Sequence, residues 1–208
     1  MSIRKTPIAI LISGRGSNMR SLIAACAEPN FPAEVALVLS NKEDAAGLDY
    51  ARSLGLRAEA VPHKAFDKDR EAHERAIDAR LRKAGVEFVC LAGYMRLLTP
   101  FLTDAWAGRM INIHPSLLPL FPGTHTHERA LEAGVRIHGC TVHRVTAGMD
   151  EGPIIAQAAV PVFPKKDSAD DLAARVLVQE HVLYPAALKA VLVGADGSVS
   201  SEDGLLVV

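Results

Sequence analysis

Up to about residue 113, short and mainly apolar runs alternate with longer stretches of helical periodicity, and this alternation limits the fold more than any other feature. The runs cover residues 8–12, 35–39, 58–61, 88–92 and 110–113. A strand that is apolar at every position is buried on both faces, as happens when helices cover a parallel sheet from either side. The intervening stretches fit that scheme. Helices are expected from about Asn18, over 45–54 and over 67–84, where Ala72, Ala76, Ile77, Leu81 and Ala84 recur at helical spacing. Thr99 and Pro100 read as a cap followed by proline at the first helical position. The expected class is α/β: a doubly wound, Rossmann-like, mostly parallel sheet with helices on both faces.

After Gly134 the pattern changes. Residues 138–146 and 153–162 read as strands joined by the turn-rich link 147–152, so a late antiparallel hairpin is expected. Ser168 and Asp171 form a capping pair for a long helix reaching about Val193, with Pro185 expected to kink it. From about Gly194 the tail is rich in Gly, Ser and Asp and is expected to be loose until residues 205–208. No repeat or low-complexity linker appears, and 208 residues suit a single domain.

Composition excludes several classes. With a formal net charge of -1 and basic residues dispersed among acids, there is no concentrated basic face for nucleic acid. The apolar stretch before Gly14 is too short for a membrane span. The 3 cysteines are scattered, and Cys90 lies within an apolar run, so no disulfide framework is expected and a reducing cytoplasm is the simplest location. A small phosphorylated substrate stays open, because backbone amides alone can hold one phosphate.

In open α/β sheets ligands bind beyond the carboxyl ends of the strands, which directs attention to the loops after the first, fourth and fifth strands. The first loop, Ser13-Gly14-Arg15-Gly16-Ser17-Asn18-Met19, lets the chain turn tightly and aims amides outward at the positive end of a helix. The dinucleotide fingerprint would need glycine where Met19 stands, and no Gly-Lys-Ser/Thr follows. A plain tight turn capped by Asn18 is the other reading of these residues. The fifth strand ends in Asn112-Ile113-His114-Pro115, and period-two geometry puts Asn112 and His114 on one side. An amide donor beside an imidazole suits a developing oxyanion and proton delivery. Asp150 lies in the late turn; next to His114, its carboxylate would favour the charged ring. His125, His127, His138 and His143 lack the spacing of a metal site, His138 and His143 being expected on opposite strand faces. Cys140 has no protease signature around it, and neither Ser13 nor Ser116 sits in a nucleophile elbow, so covalent catalysis is not expected.

Those loops, together with residues 91–98, the run 112–119, Pro122-Gly123-Thr124-His125-Thr126-His127, residues 138–143, residues 149–155 and Gln179-Glu180-His181, resemble the glycinamide ribonucleotide transformylases in order and spacing. The resemblance covers nearly the whole chain except its last dozen or so residues. It implies formyl transfer from 10-formyltetrahydrofolate, a co-substrate, to the amine of glycinamide ribonucleotide, with no metal. By motif, Asn112, His114 and Asp150 would be catalytic. Gly16, Ser17 and Asn18 would hold the nucleotide phosphate, and Glu180 would contact the ribose. Arg70, Met95, Arg96, Leu97, Leu98, Thr146, Ala147, Gly148, Met149, Asp150 and Asn112 would line the folate site. Residues 1–112 would form the nucleotide and phosphate half, and 113–208 the folate and catalytic half. Glu151 departs from the glycine common in relatives, beside the expected pteridine turn.

The rivals with the same Asn-x-His are a formyltetrahydrofolate hydrolase, a methionyl-tRNA formyltransferase and a sugar-nucleotide formyltransferase. The first would carry an extra amino-terminal domain and the second a carboxyl-terminal domain with a basic surface; neither is expected here. A non-catalytic nucleotide-binding module would need the phosphate loop but not Asn112, His114 and Asp150. The partners expected are the two small substrates, without nucleic acid or membrane, in a monomer or homodimer.

Overall fold

The structure is a computed structural model that describes residues 4–194. The expected loose tail beyond Gly194 lies outside the described residues. The elements run β1 (Thr6–Ile12), α1 (Ser17–Ala27), β2 (Ala33–Ser40), α2 (Ala46–Ser53), β3 (Ala58–Ala60), a 3-10 turn (His63–Phe66), α3 (Arg70–Lys83), β4 (Phe88–Leu91), α4 (Pro100–Ala105), β5 (Met110–His114), α5 (Thr126–Glu132), β6 (Ile137–Arg144), β7 (Ile154–Pro161) and α6 (Ala169–Leu192). The strands are ordered β3-β2-β1-β4-β5-β6-β7 in a 7-stranded sheet. Pairings from β3 through β5 are parallel and β6–β7 is antiparallel, as the apolar runs and the late change of pattern imply.

Two compact units divide the chain: Met1–Asn112 with Val145–Ala147, and Ile113–Arg144 with Gly148–Val208. In the first, Ala9 and Leu11 of β1 join Leu37, Leu39, Val89 and Leu91 in a core closed by Ile77 and Leu81 of α3 and Leu102 of α4. Ile8, Ile10 and Ile12, on the other face of β1, are equally buried, so the sheet is covered on both sides. Each such aliphatic side chain contributes about 1.5–3 kcal/mol on burial, which explains why strands without polar alternation persist. In the second unit, α6 packs on the β6–β7 hairpin through buried Leu172, Val176, Leu183 and Tyr184.

Two helix ends differ from expectation. Helix α1 begins one residue early, with Gly16 at its N-cap at φ 69, so Asn18 stands inside the first turn and is no cap. Thr99 is the N-cap of α4, but its hydroxyl turns away from the helix to donate to the buried Glu74 carboxylate, which also accepts the Thr99 N–H at 2.8 Å. The Ser168–Asp171 capping box forms, and α6 continues through Pro185 as one helix of 24 residues.

Candidate active site

In the first unit the loop after β1 is a cradle made of backbone. Gly16 brings no capping side chain to the opening turn of α1, whose amides lie at the positive end of the helix, where an anion is favoured. A side chain at Gly16 would press on Met19, 3.0 Å from its Cε. The loop is braced from α2, where the Gly47 N–H donates to the Gly14 carbonyl at 3.1 Å. Any Cβ at Gly47 would fall 2.5 Å from Ile12 Cδ1 and 3.0 Å from that same carbonyl. A cleft of ≈ 280 Å³ opens over the loop, lined by residues of 13–18, by Lys42 and by Met95. Gly16, Ser17 and Asn18 therefore share a cavity as the motif implies. Two exposed cations, Arg15 and Lys42, join them and were not anticipated. The signal for Lys42 was its place after β2, another strand carboxyl end.

The segment after β4 leaves Met95 67% and Leu97 56% exposed, while Tyr94 is buried and Leu98 packs on the core. Large apolar side chains held in water beside a cleft suit a ligand with an aromatic body. Arg96 is half-buried, and Arg70 is an exposed residue that opens α3. Thr146 and Ala147 are exposed and belong to this unit.

In the second unit, His114 closes β5 and is 5% exposed. Its Nε2 lies 3.0 Å from the Phe121 carbonyl oxygen, which only accepts, so Nε2 carries a proton. Its Nδ1 faces Asp150 Oδ2 at 3.4 Å. Asp150 Oδ2 also accepts the Gly123 N–H at 2.8 Å, and Oδ1 faces His143 Nε2 at 3.7 Å. Strand pleating puts Asn112 on the same side as His114, two residues upstream. Asp150 at φ 57 and Phe121 at φ 54 both occupy the left-handed region. Such backbones cost on the order of 1–3 kcal/mol and persist where surroundings enforce them, often at functional sites.

A buried polar ladder holds the loop after β5. Thr141 donates to the Ser116 carbonyl at 2.7 Å and accepts the Leu118 N–H at 3.0 Å, while Gln157 donates to the Leu118 carbonyl at 2.9 Å. The ladder holds residues 116 and 118 of the loop that runs on to Phe121 and Gly123, the partners of His114 and Asp150.

Around His114 lie more histidines than the metal argument foresaw. His127 and His138 meet edge to face at 5.3 Å, and His127, His138 and His143 all lie near enough to His114 to interact with it electrostatically. Burial pushes all three imidazoles below the usual range, His138 to about 4. His143 was missed as a partner of Asp150. The period-two argument separated it from His138, yet both rings are buried, and a register irregularity between Val142 and His143 interrupts the regular pairing with β7. Among the described residues no group of three or more His, Cys, Asp or Glu is placed to hold a metal ion. Cys140 is buried, and burial followed by the nearby Glu180 charge raises its thiol pKa, the wrong direction for a nucleophile. Glu180, 6% exposed on α6, belongs to this unit, as do Gly148 and Met149. Glu151 folds over Gly148, where an added Cβ would lie 2.3 Å from its carboxylate. No helix among the described residues is long and apolar enough to cross a membrane.

Residues 6–188 match the family described as formyl transferase. The chain is 46% identical over 191 residues to the trifunctional purine biosynthetic protein adenosine-3 of Homo sapiens, covering 92% of this chain but 19% of that protein. It is 48% identical over 178 residues to phosphoribosylglycinamide formyltransferase of Escherichia coli (strain K12), covering 86% of this chain and 83% of the relative. A crystal structure of phosphoribosylglycinamide formyltransferase from Brucella melitensis superposes with a TM-score of 0.85 at 52% identity, over 95% of this chain and 100% of that one.

Proposed function

This chain belongs to the formyl transferase family, and we propose that it moves the formyl group of 10-formyltetrahydrofolate to the amine of glycinamide ribonucleotide, a step of purine biosynthesis. The observation that carries the reading is the His114–Asp150 contact at 3.4 Å, at the end of the strand that also bears Asn112.

The amine nitrogen attacks the formyl carbon. A nitrogen–carbon bond forms as the carbonyl electron pair moves onto oxygen, and the tetrahedral species collapses by breaking the bond to the folate nitrogen. The amine loses a proton and the leaving nitrogen gains one. Asn112 donates its amide hydrogen to the developing oxyanion. His114 as an imidazolium has an acceptor near each nitrogen, Phe121 O and Asp150 Oδ2. The longer contact at Nδ1 leaves that proton able to serve the substrate oxygen. Asp150 balances the imidazolium charge and relays the proton. No oxidation state changes, so the transfer needs no nicotinamide.

The amides at Gly16, Ser17 and Asn18 hold the ribonucleotide phosphate with Arg15 and Lys42 beside them, and Glu180 contacts the ribose. Arg70, Met95, Arg96, Leu97, Leu98, Thr146, Ala147, Gly148, Met149, Asp150 and Asn112 take the folate. In this reading residues 1–112 are the nucleotide and phosphate half and 113–208 the folate and catalytic half of one cytoplasmic enzyme, a monomer or homodimer without nucleic-acid or membrane partners.

The test follows loss of the formyl group from 10-formyltetrahydrofolate, with and without glycinamide ribonucleotide. Turnover only with the ribonucleotide supports the transferase. Equal turnover without it identifies a hydrolase, and none in either case defeats the reading.

A further inference from the structure

Ser13, the first residue of the phosphate loop, carries a hydrogen-bond network that the chemistry above leaves unused. It is 5% exposed. Its hydroxyl donates to Asn41 Oδ1 at 2.6 Å and accepts the Met95 N–H at 2.8 Å, and its own N–H donates to the Gly93 carbonyl at 3.1 Å. Asn41, 2% exposed, continues the network to the turn after β3: the His63 N–H donates to its carbonyl at 3.2 Å, and Asn41 Nδ2 lies 3.2 Å from His63 Nδ1. One side chain thus fastens together the loops after β1, β2 and β4. Gly93, at φ 75, turns the chain away from the sheet, and the next bond it meets is the one from Met95 to Ser13.

We propose that Ser13 is a positioning residue that ties the phosphate loop to the segment beginning at Met95, so that an anion in the cleft tightens the backbone of the folate side; the folate part rests on the function proposed above. The physical chain is short. Two glycines, Gly14 and Gly16, make the loop permissive. An anion on the opening amides of α1 fixes the loop, hence Ser13, hence the Met95 N–H. Alanine at position 13 removes that hydroxyl and leaves the buried Asn41 Oδ1 and the Met95 amide without the partner they have here. Coupling carried by such a contact is reciprocal between the two sites.

The test measures binding of a deaza analogue of 10-formyltetrahydrofolate to the full chain, with and without saturating inorganic phosphate. Phosphate is expected to tighten the analogue about fivefold in the native protein, within the range usual for coupled sites. The factor falls to about one in Ser13→Ala and returns in Ser13→Thr, which keeps the hydroxyl. In turnover, Ser13→Ala raises both KM values by roughly tenfold, more than it lowers kcat. Hydrogen exchange at the Met95 amide gives a second readout: slow in the native protein, fast in Ser13→Ala. An equal phosphate effect in native and Ser13→Ala proteins overturns the proposal, as does Met95 exchange unaltered by the substitution. A native protein that binds no folate analogue defeats the functional reading instead, and Met95 exchange then decides the fate of the Ser13 tie alone.

Discussion

The loop after β1 and the cluster around His114 both sit at carboxyl ends of strands, yet the first is made of backbone and the second of side chains. The loop needs only permission from its sequence: Gly16 at φ 69, and Gly47 small enough for its amide to reach the Gly14 carbonyl. The cluster needs particular groups delivered from distant positions, as with Asp150 brought to within 3.4 Å of a histidine 36 residues earlier. A site built of amides tolerates changes in its surrounding side chains. A site built of buried, mutually charged side chains does not.

The largest effect should therefore fall in the cluster. His114→Ala is expected to lower kcat by about a hundred- to a thousandfold with little change in substrate dissociation constants, as for loss of one oxyanion donor; separate turnover and binding measurements check this, and a loss confined to affinity would remove the contrast. Gly139→Ala tests the scaffold beneath it. Its Cβ would lie 1.9 Å from the Ala158 carbonyl oxygen, so β6 must leave β7, at a cost of about 3 kcal/mol or more. Thermal unfolding should show a fall of roughly 6–12 °C for a chain of this size.

Acid offers a third way to divide the regions. The pKa of His138 is held down to about 4 by burial, so the unfolded chain takes up a proton that the folded chain refuses. Its contribution is complete above the ordinary histidine value and is lost as pH falls toward the folded value, on the order of 2 kcal/mol by about pH 5. His127 and His143 act in the same direction. Urea midpoints at neutral and mildly acid pH should show the slope, and His138→Phe, which keeps an aromatic ring against Phe121 and His127, should flatten it. The smallest effect belongs to the cradle. Lys42→Ala should raise KM for the ribonucleotide about fivefold, an exposed cation being worth about 1 kcal/mol, and the difference should shrink in high salt. A hundredfold loss there would mean that the cradle depends on side chains after all.

The same contrast explains what could be read without coordinates. Mainly apolar runs marked the parallel strands to within a residue or two, because burial on both faces of the sheet leaves little room for polar alternation. Ser168 and Asp171 marked their helix because a capping box is local. Asn18 is no cap because Gly16 supplies a left-handed one, whereas Thr99 and Pro100 stand at the cap and first helical positions as read, with Glu74 taking the Thr99 hydroxyl. Asn112 and His114 were readable together, being two residues apart on one strand. His143 beside Asp150 and Lys42 beside the loop were not, since each depends on pairing between segments that no local pattern records.

Asp150 has a backbone that few residues accept, at φ 57, and asparagine is among those that do so most readily. A carboxamide in its place keeps the size of the side chain and an acceptor for the Gly123 N–H, and removes one charge. Under the proposed function, Asp150→Asn is expected to act as an off-switch written in a single atom. It should yield a folded protein that holds its ligands while turning over slowly enough for a complete complex to be trapped and seen.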